Sequence, residues 1–174
     1  MVNQNNKKRI IFFDSGPIIS LVMSRLIWIL PELKKKIDGK FYITPAVKKE
    51  LIERPLNTKR FEFEAMQVLK LINENVLEVY DKIPSQKIKQ LITLANNSFS
   101  INNKYIDIIQ SGEMESVASA LETDADAIVM DERTLRLFIE NSSEMTHLLK
   151  IRFHKDINAN PENIKNFTQQ LSKI

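Results

Sequence analysis

Four bulky apolar residues in succession, IIFF at positions 10–13, constrain the fold of this chain more than any other feature of its sequence. A strand with one face in water alternates apolar and polar residues, whereas an unbroken apolar run is typical of a strand buried on both faces of a parallel sheet. Further short strands are predicted at 41–44, 76–80 and 125–130, with helical patterns between them. This alternation predicts an α/β fold of three layers, α/β/α, whose central parallel sheet has about four to five strands joined by right-handed crossovers.

Proline and capping residues mark the predicted helix boundaries. One helix is expected from Pro17 to about Lys36, and the next starts at Thr44 and should stop near Pro55. Proline suits the first turn of a helix but interrupts a helix interior. A polar break is expected at 96–103, and apolar spacing predicts further helices at about 59–74, 84–95, 113–122 and 132–141.

The domain boundaries follow from the same patterns. Residues 1–8 are polar and asparagine-rich, and they are expected to form a disordered N-terminal segment. Residues 9–145 are predicted to form the α/β domain. Residues 146–174 are predicted to be a C-terminal helical extension, in which an edge strand near 150–153 is an alternative.

The absence of cysteine excludes a disulfide framework and a thiolate zinc site, so apolar packing must hold the fold together, as suits a reducing compartment. The apolar runs are far shorter than the roughly 20 residues that span a bilayer, and the start of the chain has no signal-peptide pattern. The protein is therefore expected to be soluble and cytoplasmic, without a membrane partner. Its 25 basic and 22 acidic residues give a formal charge of +3, which permits nucleic-acid binding without arguing for it.

Two of the predicted buried strands end in aspartate, at Asp14 and Asp131. Ligands of open α/β sheets bind outside the carboxyl ends of the strands. Glu50 is expected early in the helix after the second strand, and Glu115 early in the helix before the last, so four carboxylates could converge at this edge. Carboxylates packed together repel one another unless a cation lies among them. Mg²⁺ and Mn²⁺ prefer oxygen ligands, and such ions support phosphodiester hydrolysis by activating a water molecule.

Each acid also has a purely structural interpretation. Asp14 and Asp131 could cap the helices that follow them, and Glu50 and Glu115 could be solvent-exposed. Glu113 competes with Glu115, because the two lie roughly 200° apart around a helix and only one can face a metal ion. Glu113 suits a first-turn position that offsets the helix dipole.

Four segments, in their order along the chain, resemble PIN domains, a family of Mg²⁺- or Mn²⁺-dependent ribonucleases. The segments are IIFFDSGPIISL, ITPAVKKEL, GEMESVASALE and IVMDERTLR, and together they span residues 10–138. The resemblance implies a PIN-like fold and a ribonuclease of the prokaryotic or archaeal type. It also implies a set of catalytic, metal-binding acids with an accessory hydroxyl, and these residues are Asp14, Glu50, Glu115, Asp131 and Ser15.

The resemblance also orders the secondary candidates. Glu115 is preferred over Glu113 because it stands directly before the small-residue stretch, as the family's third acid does. Glu132 is an accessory candidate, since family members often carry a second acid at this position. Arg133 and Arg136 are candidates for binding substrate phosphate, and a salt bridge to a neighbouring glutamate is an equal alternative for both.

These features together predict a metal-dependent endoribonuclease that hydrolyses RNA phosphodiester bonds with Mg²⁺ or Mn²⁺. One alternative is a non-catalytic, RNA-binding PIN-like module in an RNA-processing or ribosome-associated assembly. Another is the toxin of a toxin–antitoxin pair, with an antitoxin as its protein partner. A homodimer is common in the resembled family and is expected here as a further possibility.

Overall fold

The computed structural model describes residues 8–109, 111–131 and 133–171. In chain order the elements are β1 (Arg9–Phe13), α1 (Ser15–Met23), α2 (Ile29–Ile37), β2 (Gly39–Ile43), α3 (Pro45–Lys48), a π-helical segment (Lys49–Glu53), α4 (Arg54–Thr58), α5 (Glu62–Asn73), β3 (Glu78–Val79), α6 (Ser85–Asn96), β4 (Phe99–Ile101), β5 (Lys104–Tyr105), α7 (Ser111–Glu122), β6 (Ala127–Val129), α8 (Arg133–Glu140), α9 (Ser142–Phe153), β7 (Asn158–Ala159) and α10 (Pro161–Leu171). Strands and helices alternate over most of this order, as the sequence predicted.

Within the described residues, four parallel strands form the central sheet in the order β3-β2-β1-β6. Phe12 pairs with Tyr42 of β2, and Phe13 pairs with Val129 of β6, so β1 lies between two neighbours. Successive side chains of a strand point to opposite faces of its sheet. Phe12 accordingly packs on Ala120 of α7, whereas Phe13 packs in the core formed with α1 to α5. The predicted three-layer fold is therefore confirmed, and the IIFF run forms one of the two inner strands of its sheet.

The C-terminal part of the chain forms a second core with the middle of the chain. Its strand β7 pairs with β4, and β4 pairs with β5, in a small antiparallel sheet. The ring of Phe138 lies 5.2 Å from that of Phe99 and 4.5 Å from that of Phe167 on α10, measured between centroids. The segment predicted as a polar break thus contains a strand, because Phe99 is fully buried despite its polar neighbours. The alternative edge strand at 150–153 is instead the end of helix α9.

Two predicted helix boundaries were wrong. The first helix ends at Met23, and Arg25 then adopts a left-handed backbone conformation with φ 62°. A separate helix, α2, begins at Ile29 and contains Pro31 in its first turn. A continuous helix is unfavourable there because the Pro31 ring would clash with the carbonyl four residues earlier. By contrast, Pro55 does not end its helix, since the π-helical segment directly precedes it. Among the described residues, none of the helices is long and apolar enough to cross a membrane.

Candidate active site

A cleft of about 310 Å³ opens at the carboxyl edge of the central sheet, beside the ends of β1 and β2. The acidic side chains in its lining come from three separate elements, at Asp14, Glu50 and Glu113. Positive charge lies beside them. The rest of the lining consists of two basic residues, two serines and three small or apolar residues, which are Lys49, Arg54, Ser15, Ser111, Ala46, Val47 and Gly112. Carboxylates and cations in one cleft suit a metal-bridged phosphate ligand.

Asp14 is held at the end of β1 by the sheet itself. Its backbone N–H donates to the carbonyl oxygen of Val129 at 2.9 Å, which extends the pairing of β1 with β6 by one residue. Both Asp14 and the adjacent Ser15 are only 8% exposed. In the described part of the chain, the Asp14 carboxylate does not cap α1, so the capping interpretation does not account for this acid.

Asp131 reaches the same edge from β6 and lies against the start of α1. A Cβ atom built on Gly16 would overlap both carboxylate oxygens of Asp131. The φ angle of Gly16 is not positive, so glycine is required here for space and not for backbone conformation. Because Gly16 has no side chain, the Asp131 carboxylate can pack directly against the start of α1, next to Asp14.

Glu50 lies in the π-helical segment that follows α3. Thr44 caps this helix as predicted, because its Oγ1 accepts a hydrogen bond from the Val47 N–H at 3.4 Å, and Pro45 occupies the first turn. Isolated π-helical turns inside α-helices are frequent at functional sites. The wider turn at Lys49–Glu53 gives Glu50 its exposed position in the cleft wall.

The structure brings Glu113 and Glu115 to the site in different ways. Glu113 lines the cleft, whereas the Oε1 atom of Glu115 accepts a hydrogen bond from the backbone N–H of Ala46 at 2.9 Å. Ala46 is itself part of the cleft lining, so the Glu115 carboxylate lies at the wall of the cleft. Helix α7 packs against β1 and β6 through its small buried residues, and it also contacts α3, the helix that leads into the segment carrying Glu50.

The basic candidates lie beyond Asp131. Arg133 is the first residue of α8 and is exposed, and it faces α9 across a shallow pocket. The Nε atom of Arg136 lies 4.0 Å from Glu140 Oε2. Arg136 therefore forms the salt bridge to a neighbouring glutamate that the sequence offered as the alternative. Both partners are more than half exposed, and such a pair contributes little to stability. Glu132, the accessory acid candidate, lies outside the described residues.

The donor set of this edge fits a hard divalent cation. Within residues 8–109, 111–131 and 133–171, no three acidic or histidine side chains are grouped closely enough to hold one ion by themselves. Mg²⁺ does not require such a group, because it is commonly bound by one or two carboxylates together with water and substrate phosphate. The oxygen donors of the cleft and of Asp131 satisfy that requirement, and the space kept open by Gly16 brings Asp131 to the same edge.

Comparison with known families agrees with this geometry. A family model described as a PIN domain matches residues 10–146, more than three quarters of the chain. The chain belongs to the PIN domain family. PIN domains are generally nucleases and typically use divalent metal ions, so membership indicates a nuclease-like, RNA-related function. The comparison with curated proteins yields no match to the chain.

Sequence reasoning missed three residues that this PIN domain places at its cleft or beside it. Lys49 and Arg54 line the cleft next to Glu50, and Gly16 makes room for Asp131. The spacing of Glu50 and Arg54, four residues apart in a predicted helix, was a signal that both would lie on one helix face. Nothing in the sequence indicated that a carboxylate from a strand end more than a hundred residues later would occupy the space beside Gly16.

Proposed function

We propose that this PIN domain is a metal-dependent endoribonuclease whose catalytic centre is the cleft at the carboxyl edge of the sheet. The observation that carries the proposal is that Asp14, Glu50 and Glu113 line one cleft. The Glu115 carboxylate is hydrogen-bonded to Ala46 in the cleft wall, and Asp131 lies beside them against Gly16. The cleft also contains Lys49 and Arg54, which offer the positive charge that a phosphate backbone requires.

The proposed roles follow from position. Asp14, Glu50, Glu115 and Asp131 would hold Mg²⁺ or Mn²⁺, which when bound supplies an activated water and stabilises charge on the scissile phosphate. The Ser15 hydroxyl, beside Asp14 in the lining, donates a hydrogen bond to a phosphate oxygen. Long cationic side chains orient the RNA by binding the phosphates on either side of the cleft. These side chains belong to Lys49, Arg54, Arg133 and Arg136.

Two other functions are each favoured by a specific observation. A non-catalytic RNA-binding module is favoured by Lys49 and Arg54 in the cleft lining, because these side chains offer positive charge to a phosphate backbone without a metal ion. A toxin bound by an antitoxin is favoured by an apolar groove of about 270 Å³ between α1 and α5, which shares Glu50 with the cleft and exposes Ile19, Met23 and Phe61. Growth arrest on expression, relieved by Asp14→Asn, would support the toxin.

Removal of the metal ion is expected to abolish RNA cleavage. The test incubates the purified protein with labelled single-stranded and structured RNAs, in Mn²⁺, in Mg²⁺ or in EDTA, and follows product formation. We expect cleavage in Mn²⁺ or Mg²⁺ and none in EDTA, with activity restored when excess Mn²⁺ is added back. RNA binding without cleavage under every metal condition would favour the binding module instead.

Replacing Glu115 with glutamine is expected to reduce cleavage on the order of 10²-fold without lowering stability. A glutamine oxygen still accepts the hydrogen bond from the Ala46 N–H, so only the charge needed for the cation is lost. Glu113→Gln is the matched comparison, because it removes the same charge two residues away in the same helix. Loss of cleavage in Glu113→Gln with full activity in Glu115→Gln would assign the third metal-binding acid to Glu113.

A further inference from the structure

A second pocket, of about 250 Å³, lies where α8 packs against α9. Its floor is apolar and its rim carries several positive or titratable groups, since its lining residues are Arg133, Glu144, His147, Leu148, Ile151 and Arg152. Ile151 is 59% exposed, which is unusual for a large aliphatic side chain on a helix that is otherwise docked through Met145 and Leu149. The function proposed above assigns Arg133 to RNA binding and gives no role to the other lining residues of this pocket.

The charges of this pocket are available to a ligand. In the described ranges, neither Arg133 nor Arg152 has a carboxylate within ion-pair distance, whereas Arg136 pairs with Glu140 and Lys150 with Asp156. The one acid of the lining, Glu144, is engaged at the start of α9, where its carboxylate accepts from the Asn141 side-chain amide at 3.4 Å. The pocket therefore presents two guanidinium groups above an apolar floor.

The order of the strands places this pocket on the side of the cleft opposite Lys49 and Arg54. Helix α3 follows β2 and α8 follows β6, and these two strands flank β1 in the sheet. The segments after β2 and after β6 therefore lie on opposite sides of Asp14. A strand of RNA that crosses the carboxyl edge would meet the Lys49 and Arg54 side first, the acids next, and Arg133 last.

We propose that the pocket between α8 and α9 is a nucleotide subsite for single-stranded RNA, next to the scissile phosphate. This inference rests on the proposed function, because it specifies which kind of RNA binds at the same edge of the sheet. Arg133 and Arg152 bind phosphate, and a base lies on the Leu148 and Ile151 floor. Unpaired bases stack on guanidinium planes and pack against apolar side chains, whereas the bases of a duplex are not free to do so.

The test measures RNA affinity separately from cleavage. Fluorescence anisotropy with a labelled single-stranded RNA is recorded in EDTA at several salt concentrations, with the Asp14→Asn protein as the parent so that no RNA is cut. Arg152→Gln and Ile151→Ser are compared with Arg9→Gln, the control, because Arg9 is exposed at the amino end of β1, away from the cleft. All three positions are on the surface, and thermal unfolding checks that each variant is folded.

We expect Arg152→Gln to weaken single-stranded RNA binding about tenfold and to lower the salt dependence by about 0.7 in log–log slope, the value for one lost phosphate contact on a single strand. Ile151→Ser should weaken binding severalfold without changing that slope, because it removes stacking area and no charge. Arg9→Gln should change neither quantity.

Equal RNA affinity for Arg152→Gln and its parent would overturn the subsite. So would an equal loss with Arg9→Gln, since that result would show a general effect of charge. A change in oligomeric mass without a change in RNA affinity would assign the pocket to a protein contact and would also overturn it. Failure of the nuclease proposal is a different result, namely no cleavage by the unmodified protein with Mn²⁺ or Mg²⁺, whatever the affinities.

Discussion

Replacing Asp14 with asparagine is expected to reduce metal-dependent RNA cleavage on the order of 10³-fold or more. Asp14 is the acid most firmly positioned at the cleft, since the sheet holds its backbone and its side chain is 8% exposed. Asparagine keeps the shape and one acceptor oxygen but removes the negative charge that a hard cation needs. A metal ion contributes several kcal/mol of transition-state stabilisation, and about 4 kcal/mol corresponds to a factor of about 10³ in rate.

The matched control for this variant is Asp38→Asn. Asp38 ends α2 with a left-handed backbone conformation at φ 45°, which asparagine adopts readily, and it lies before β2, at the opposite edge of the sheet. Its ion pair with Lys8 is exposed and weak. We expect wild-type cleavage rates from Asp38→Asn, and urea unfolding of both variants within about 1 kcal/mol of wild type. Retention of full activity by Asp14→Asn would exclude the proposed catalytic centre.

Replacing Gly16 with alanine is expected to damage both the stability and the site. An alanine usually stabilises a helix relative to glycine, but here its Cβ would occupy the space of the Asp131 carboxylate. Either Asp131 is displaced or α1 shifts away from β6, and overpacking of this kind costs about 1–3 kcal/mol. A carboxylate displaced by about 1 Å at a reacting centre reduces activity on the order of 10²-fold. Urea unfolding and the cleavage assay measure the two effects separately.

Gly112→Ala provides the comparison for stability. Gly112 is also the second residue of its helix and also lacks a positive φ, but among the described residues a Cβ there would meet only the Cβ of Ala46 at 3.8 Å, an ordinary contact. This variant should therefore stabilise the protein by about 0.4–1 kcal/mol, because alanine restricts the unfolded chain. Opposite signs at two similar glycines would show that space for Asp131, and not helix propensity, decides the Gly16 result. Stabilisation by Gly16→Ala would contradict that account.

The central sheet was predictable because its signal is local. The IIFF run has no alternation, and burial of Phe12 and Phe13 on opposite faces of β1 is its direct consequence. The interruption near Arg25 had a local signal in Pro31, because a proline ring is unfavourable inside a continuous helix. The continuation of the helix through Pro55 had no such signal, because propensity does not predict the π-helical segment that precedes it. β4 was missed because only three residues form it, and its partner β7 is distant in the chain.

The candidate site was predictable in outline and not in detail. Strand ends and helix starts can be read from a sequence, so the edge that carries Asp14 and Asp131 was foreseen. The hydrogen bond from Ala46 to Glu115 depends on the relative placement of α3 and α7, which no local pattern specifies. The same limit applies to the pocket between α8 and α9, because its lining depends on how two helices pack against each other.

The stacking of Phe167 on Phe138 bears on how the protein is made. Synthesis on the ribosome proceeds from the amino end, and domains begin to fold as they emerge. All four proposed acids have been translated by residue 131, yet Phe138 meets one of its two ring partners only after α10 has followed. A nascent chain that stalls before α10 would carry every acid of the cleft while lacking Phe167 and Leu171, which α10 buries in the second core. Premature release should therefore yield a protease-sensitive fragment, and not an active nuclease.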